Sequence, residues 1–288
     1  MELQETLKAI YDKDDERNRI DAQMKAKPFN KQTMVIRLTL FTLTLLTIYG
    51  FVTFDYKNIA FFKAVSSTAG TVKTMFFMPG FNHFSFLDAL LQVAITLGLA
   101  FLTTLFGAII ALFLGLLAAR NISNPKFSAV IKAGVALIRA VPTVLWVLIF
   151  AVAAGLGSVA AVIGMTFHSV SYLVKAYSES FEELDKGVIE ALKASGASWW
   201  QIVFQAVIPS TATYLISWTF MRFEINFAVA VAMGAAAGAG GIGYDMFMAS
   251  SFYYDVREIG GITYLILAFA VILEFIAARI KRTLRVHD

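Results

Sequence analysis

Cysteine is absent from the 288 residues, so the chain can build neither a disulfide framework nor a thiolate metal site. Histidine occurs three times, at His83, His168 and His287, too scattered for metal-ligand spacing. No G-x-x-x-x-G-K-[ST] occurs anywhere, which excludes a P-loop cradling nucleotide phosphates on this chain. Charged residues are only 15% of the total, and many of them crowd into residues 1–33, with seven Lys/Arg and seven Asp/Glu. That head lacks the apolar core of a signal peptide, so the N-terminus is expected to stay on the side where it is made. Within it Leu3, Leu7 and Ile10 mark a short amphipathic turn, expected to be part of a solvated helix.

What the chain has in excess is apolar surface. It is 58% hydrophobic, with 26 Phe and a mean hydropathy of +0.71, against roughly 45–50% apolar for a soluble domain. A helix needs about 20 apolar residues to cross the hydrocarbon core. Runs of that kind fall at 34–54, 89–119, 128–154, 158–174, 210–237 and 261–278, so the fold class expected is all-α, a polytopic membrane protein with six spans. A less hydrophobic segment, 55–86, follows the first span. The second run is uncharged for 31 residues, about 46 Å of helix at ~1.5 Å per residue, and has to tilt or protrude. Gly155, Leu156 and Gly157 are expected to form a tight turn between the third and fourth spans.

Cytoplasmic flanks of membrane proteins are enriched in Lys and Arg. With both termini inside, seventeen basic residues lie in cytoplasmic segments and four outside, at Lys57, Lys63, Lys73 and Arg257. This places the 175–209 loop and the basic tail, 280–288, in the cytoplasm. It also accounts for the pI of about 9.2 without invoking nucleic acid. The loop carries helix punctuation. Asp185 is placed to cap a helix running to about Ser195, Gly196 supplies a left-handed terminus, and Ser198 with Gln201 makes the capping box of a second helix.

Within that loop Glu190 and Ala191 precede Gly196, and Pro209 closes the segment. This spacing resembles the "EAA…G…I-x-L-P" signature of permease subunits of ATP-binding cassette importers. Leu192, Ala206 and Ile208 stand where that signature usually has a small residue, Ile and Leu. Further segments, "LLAARN" (116–121), "RAVPTVLWVLIF" (139–150), "HSVSYLVKAYSESFEELDKG" (168–187), "RFEIN" (222–226) and "GAGGIG" (238–243), are similar to the phosphonate permeases. One departure is the apolar Phe227, Ala228, Val229 and Ala230, where phosphonate permeases place a basic residue.

The resemblance covers residues 85–280 and implies a type I importer permease core at 87–279. It implies a multi-pass protein of the bacterial inner membrane, working as a homodimer with a cytoplasmic ATPase and an extracytoplasmic substrate-binding protein. The chain itself would bind no cofactor, ATP and Mg being held by the ATPase. The segment 190–198 would be the coupling helix, with Glu190, Ala191, Gly196, Ser198 and Pro209 coupling to the ATPase. The cargo implied is a small oxyanion: phosphonate, phosphite or phosphate.

Charge inside a membrane run is costly, about 2.5–3.5 kcal/mol on insertion scales, and therefore marks a cavity or a partner. Arg139, Arg222 and Glu224 are such residues, and with Asn226 and His168 they are the candidates for the translocation pathway. Arg222 and Asn226, four apart, share a helix face; Glu224, two from Arg222, points elsewhere and is expected to meet Arg139. The same charges could instead form a packing ion pair, and His168 could be a satisfied packing residue.

Two other readings are open to test. The 238–243 stretch fits G-x-G-x-x-G, but a dinucleotide site needs a preceding strand in a βαβ unit, and a membrane-length run precedes this one. A close helix packing or an outer turn is expected there. An ion-driven secondary transporter would show repeated halves with interrupted helices, and a membrane-embedded enzyme would show convergent catalytic groups; neither pattern is present.

Overall fold

The computed structural model describes residues 31–54 and 60–285. The expected turn at Leu3, Leu7 and Ile10 lies outside the described residues, as does His287. The described elements are all helical: α1 (Lys31–Thr53), α2 (Phe61–Phe77), α3 (Phe86–Ala118), α4 (Pro125–Ala140), α5 (Thr143–Ala154), α6 (Ser158–Glu182), α7 (Lys186–Ala194), α8 (Trp199–Ile202), α9 (Ile208–Ala237), α10 (Ile242–Ser251) and α11 (Val256–Arg285). Five helical stretches among the described residues are long and apolar enough to cross a membrane, or six if the bent pair α4 and α5 counts as one span.

The chain divides into two compact units after Ala64. The first holds α1, none of whose residues is buried. Its threonines would be a liability in lipid, yet Thr39, Thr42, Thr44, Thr47 and Thr53 each donate to the carbonyl four residues back at 2.8–2.9 Å. The helix thus satisfies these five hydroxyls within itself, which suits them to hydrocarbon.

In the second unit, α3 packs along α6 and against α9. Ser85 and Asp88 close its N-terminus as a reciprocal capping box. Lipid tails are as apolar as a protein core, so close contact rather than water expulsion must hold such helices together. The sequence supplies small residues for this: a Cβ on Gly107 would lie 2.8 Å from the Ser169 Cβ of α6, and one on Gly115 would lie 3.1 Å from that of Tyr177. Gly164 of α6 does the same for α5, where a Cβ would come within 2.5 Å of the Val147 nitrogen.

Three expectations need correction. The run 128–154 is not one straight span: α4 and α5 meet at 90°. Pro142 cannot donate a helical hydrogen bond and pushes Val141 into an extended conformation (φ −92°, ψ 125°), so the helix ends and restarts there. The fourth span does not stop at Val174, because α6 continues to Glu182 through residues expected in the loop. Nor does the fifth begin after Pro209: the helical path runs unbroken from Trp199 to Ala237, 39 residues, widened into a π turn at Val203–Val207 just ahead of Pro209.

Two expected corners are present as read. Gly155 (φ 79°) and Gly157 (φ 139°) turn the chain from α5 into α6. Further along the chain, α9 passes into α10 through the 238–243 glycines. Gly241 (φ 75°) presents its N–H to Gln92 Oε1 at 3.1 Å, and Ile242 N–H reaches Thr96 Oγ1 at 3.0 Å. A Cβ on Gly234 would lie 2.7 Å from the Gly240 carbonyl. These glycines serve a close helix corner between two helices, which is not the strand–turn–helix of a dinucleotide site.

Candidate functional site

Three helices bring polar groups together in the middle of the second unit. Arg222 and Asn226 of α9 do share a face, and that face is buried: Arg222 is 2% exposed and Asn226 is inaccessible. Arg222 Nε donates to Ser169 Oγ of α6 at 3.1 Å, and Nη2 lies 3.2 Å from His168 Nδ1. Since arginine offers only protons, His168 Nδ1 is the acceptor and the ring proton is assigned to Nε2. Asn226 Nδ2 donates to Thr104 Oγ1 of α3 at 2.8 Å and to Ser169 Oγ at 2.9 Å. Thr104 spends its own proton on the Ala100 carbonyl, leaving its lone pairs for Asn226. The guanidinium carbon stands 5.3 Å from the centre of the Tyr172 ring, close enough for a cation–π contact.

The cluster contains no acid. Among the described residues, no carboxylate forms a salt bridge with Arg222. Its charge is met only by hydroxyl, imidazole and an aromatic face. His168 is half-buried, as is Tyr172, so these two rather than Arg222 present an accessible edge. Ser169, Thr104 and Tyr172 were not foreseen from the sequence, where a hydroxyl in an apolar run looks like helix filler.

Arg139 is not among the hydrogen-bond partners of this cluster. Glu224 is half-buried on another face of α9, as its two-residue offset from Arg222 requires. Arg139, carried to the end of α4 by the bend at Pro142, is exposed and lines a cavity of about 380 Å³ together with Lys132 and Lys175.

The α7–α8 hairpin is built from local signals. The Asp185 side chain accepts from Gly187 N–H and starts α7. Ala197 N–H reaches the Leu192 carbonyl and Gly196 N–H the Lys193 carbonyl, both at 3.0 Å, the Schellman pattern, with Gly196 at φ 82°. Ser198 and Gln201 then form the reciprocal capping box of α8. The helix of the expected coupling segment is therefore Lys186–Ala194, and the rest of 190–198 is its corner. Ile189 is buried with Ile202 and Val203, and Trp199 Nε1 donates to the Ile122 carbonyl at 2.9 Å, tying the hairpin to the α3–α4 turn. Glu190, Ala191 and Ala194 are exposed, and Trp200 and Phe204, also exposed, stack on each other. Pro209 sits inside the α9 path rather than in the hairpin.

At the opposite end, Glu258 of α11 is wholly buried and accepts from the N–H groups of Asn82 (3.1 Å) and His83 (2.8 Å), while its other oxygen lies 2.7 Å from His83 Nδ1. Asn82 Nδ2 donates to Asp255 at 2.6 Å, which holds the Asp255 carboxyl below its ordinary pKa. This latch fastens the segment before α3 to the start of α11.

A family model described as the binding-protein-dependent transport system inner membrane component matches residues 111–285, well over half of the chain. The chain belongs to that family. The match begins inside α3 and leaves α1 and α2 outside it. The permease is 30% identical over 199 residues to the phosphate-import permease protein PhnE of Mycolicibacterium smegmatis, covering 69% of this chain and 37% of that protein. It is 29% identical over 188 residues to the phosphite transport system permease protein PtxC of Stutzerimonas stutzeri, 65% of this chain and 68% of that one. It thus spans little more than a third of the mycobacterial relative's length. Among solved structures it is similar to the MetNI methionine ABC transporter in its inward-facing conformations, with a TM-score of 0.62 at 24% identity over 68% of this chain and 95% of that one. The fold is that of the type I importer permeases.

Proposed function

We propose that the permease passes a small phosphorus oxyanion, phosphonate, phosphite or phosphate, inward across the bacterial inner membrane. It does so as a homodimer, with α7 docked on a cytoplasmic ATPase and an external binding protein delivering the cargo. Both termini and the α7–α8 hairpin face the cytoplasm, as the distribution of Lys and Arg favours. ATP and Mg belong to the ATPase; the permease performs no covalent chemistry.

The observation that carries the reading is the Arg222 cluster. A buried cation with no carboxylate opposite it projects its charge through a medium of low dielectric, so the neighbouring space favours an anion in transit. Arg222 stands behind His168 and Tyr172 and acts at short range without closing on the cargo, which suits a conduit better than a capture site. An amino acid such as methionine carries an ammonium that calls for an acid nearby, and the cluster offers none. The phosphate and phosphite permeases among the relatives support the same choice.

The test is uptake into proteoliposomes holding the permease, its ATPase and its binding protein, with phosphonate, phosphite, phosphate and methionine supplied in turn. One of the three oxyanions is expected to be accumulated with ATP hydrolysis, and Arg222→Ala is expected to lower both while the dimer still assembles. Uptake of methionine alone, or uptake driven by an ion gradient without ATP, refutes the proposal. Normal uptake by Arg222→Ala refutes the role of the cluster.

A further inference from the structure

The cavity that receives Arg139 is lined by none of the residues that contact Arg222, and it lies toward the α7 end of α6. Arg120, Lys132, Arg139 and Lys175 line it against Glu179 and Glu182, an excess of two positive charges in about 380 Å³, with Val135, Ala136 and Val174 as an apolar wall. The internal pairings do not use these charges evenly. Glu182 Oε1 takes both the Lys132 ammonium and the Arg120 backbone N–H, each at 2.7 Å. Lys175 and Glu179 are loosely paired at 3.6 Å, with both side chains about half exposed, a contact of little strength. The guanidinium groups of Arg120 and Arg139 form no salt bridge among the described residues.

Two guanidinium groups that form no salt bridge, in a cavity of net positive charge open to solvent, are a site for a planar or tetrahedral oxyanion, because their forked N–H donors match phosphate geometry. A soluble carboxylate would satisfy charge but leaves part of the donor set unused. The apolar wall would accommodate a carbon substituent on phosphorus or the glycerol end of a headgroup. We infer that this cavity is a second, cytoplasmic-side binding site for a phosphate-type group, occupied by the free oxyanion or by the headgroup of an anionic phospholipid. Its placement on the cytoplasmic side rests on the topology proposed above; the chemistry of the site does not.

The experiment uses the full-length permease in nanodiscs. In phosphatidylcholine alone, equilibrium binding of radiolabelled inorganic phosphate and of methylphosphonate is measured without the binding protein. In parallel, native mass spectrometry counts phosphatidylglycerol retained per chain from mixed bilayers. Saturable phosphate binding that Arg120→Gln weakens about tenfold or more supports a free-oxyanion occupant, since charged hydrogen bonds are at stake. Retention of phosphatidylglycerol that the same change abolishes supports the headgroup. Lys175→Gln, at a half-exposed position that packing does not depend on, repeats the measurement and should weaken either occupant several-fold. If neither phosphate binding nor lipid retention responds to Lys175→Gln and Arg120→Gln, the site does not exist. Uptake by Arg222→Ala tests the pathway and binding by Arg120→Gln tests this cavity, so either conclusion can fail while the other stands.

Discussion

Gly196 allows the hairpin to be perturbed without touching anything else. Its φ of 82° is left-handed, and a Cβ built there meets no atom within 4 Å, so a substitution adds backbone strain and no clash. An L-residue in this conformation costs roughly 1–2 kcal/mol, Asn somewhat less and a β-branched residue more. A difference of 1–2 kcal/mol is a factor of about 5–30 in the population of a two-state corner. The corner sets the angle between α7, exposed through Glu190 and Ala191, and the path that begins at Trp199. ATP hydrolysis stimulated by cargo and binding protein is therefore expected to fall in the order Gly, Asn, Ala, Val at position 196. Thermal stability of the detergent-solubilised permease should fall by no more than this strain, roughly 2–4 °C per kcal/mol, because no packing is lost at the exposed corner. Wild-type stimulation in Gly196→Val, or a defect in Asn larger than in Val, refutes the argument that backbone conformation at this corner carries coupling.

Three further outcomes are expected. Gly164→Ala places a methyl 2.5 Å from the Val147 nitrogen, an overpacking worth about 1–3 kcal/mol, and should lower the melting temperature by roughly 2–4 °C per kcal/mol; an unchanged Tm would mean α5 gives way freely. Asp255 has its pKa depressed by the Asn82 hydrogen bond, so its stabilisation is present above the ordinary carboxylate pKa and lost as pH falls through the lower folded value. Hydrogen exchange in residues 80–85 should be faster in Asp255→Asn at pH 7, and the difference from wild type should shrink in acid; equal exchange at pH 7 would remove Asp255 from the latch. In this cysteine-free chain, single cysteines at 193 and 254 should be labelled from the cytoplasmic and external sides respectively, and external labelling at 193 would invert the topology.

Local chemistry was the legible part of this chain. Asp185, Gly196, Ser198 and Gln201 act on backbone groups within a few residues of themselves, so their types and spacing disclosed the hairpin before any packing was known. The same holds for Gly155 and Gly157. The bend at Val141 was hidden inside an apolar run, since a span and a broken span have the same composition; Pro142 was the one visible sign. The extension of α6 was signalled by Lys175 and Glu179, four apart on one face, but read as loop because they are charged. The position of Arg139 in the last turn of α4, next to that bend, was hidden with it. For Arg222 and Asn226 the shared face was readable, whereas the partners Ser169, Thr104 and Tyr172 arise from the crossing of three helices that no spacing within one helix encodes.

The unbroken path from Trp199 to Ala237 has a mechanical consequence. At ~1.5 Å per residue its 39 residues reach about 58 Å, so each degree of rigid tilt shifts one end relative to the other by about an ångström. Arg222 and its hydrogen bonds to α6 lie a little beyond the midpoint, where such a beam would be pinned. A beam pinned near its centre moves its two ends in opposite senses. Motion taken up at the α7–α8 corner would thus be returned, reversed, at the glycine corner where α9 meets α10, and the π turn ahead of Pro209 is the one place along it where the helical ladder can slip instead.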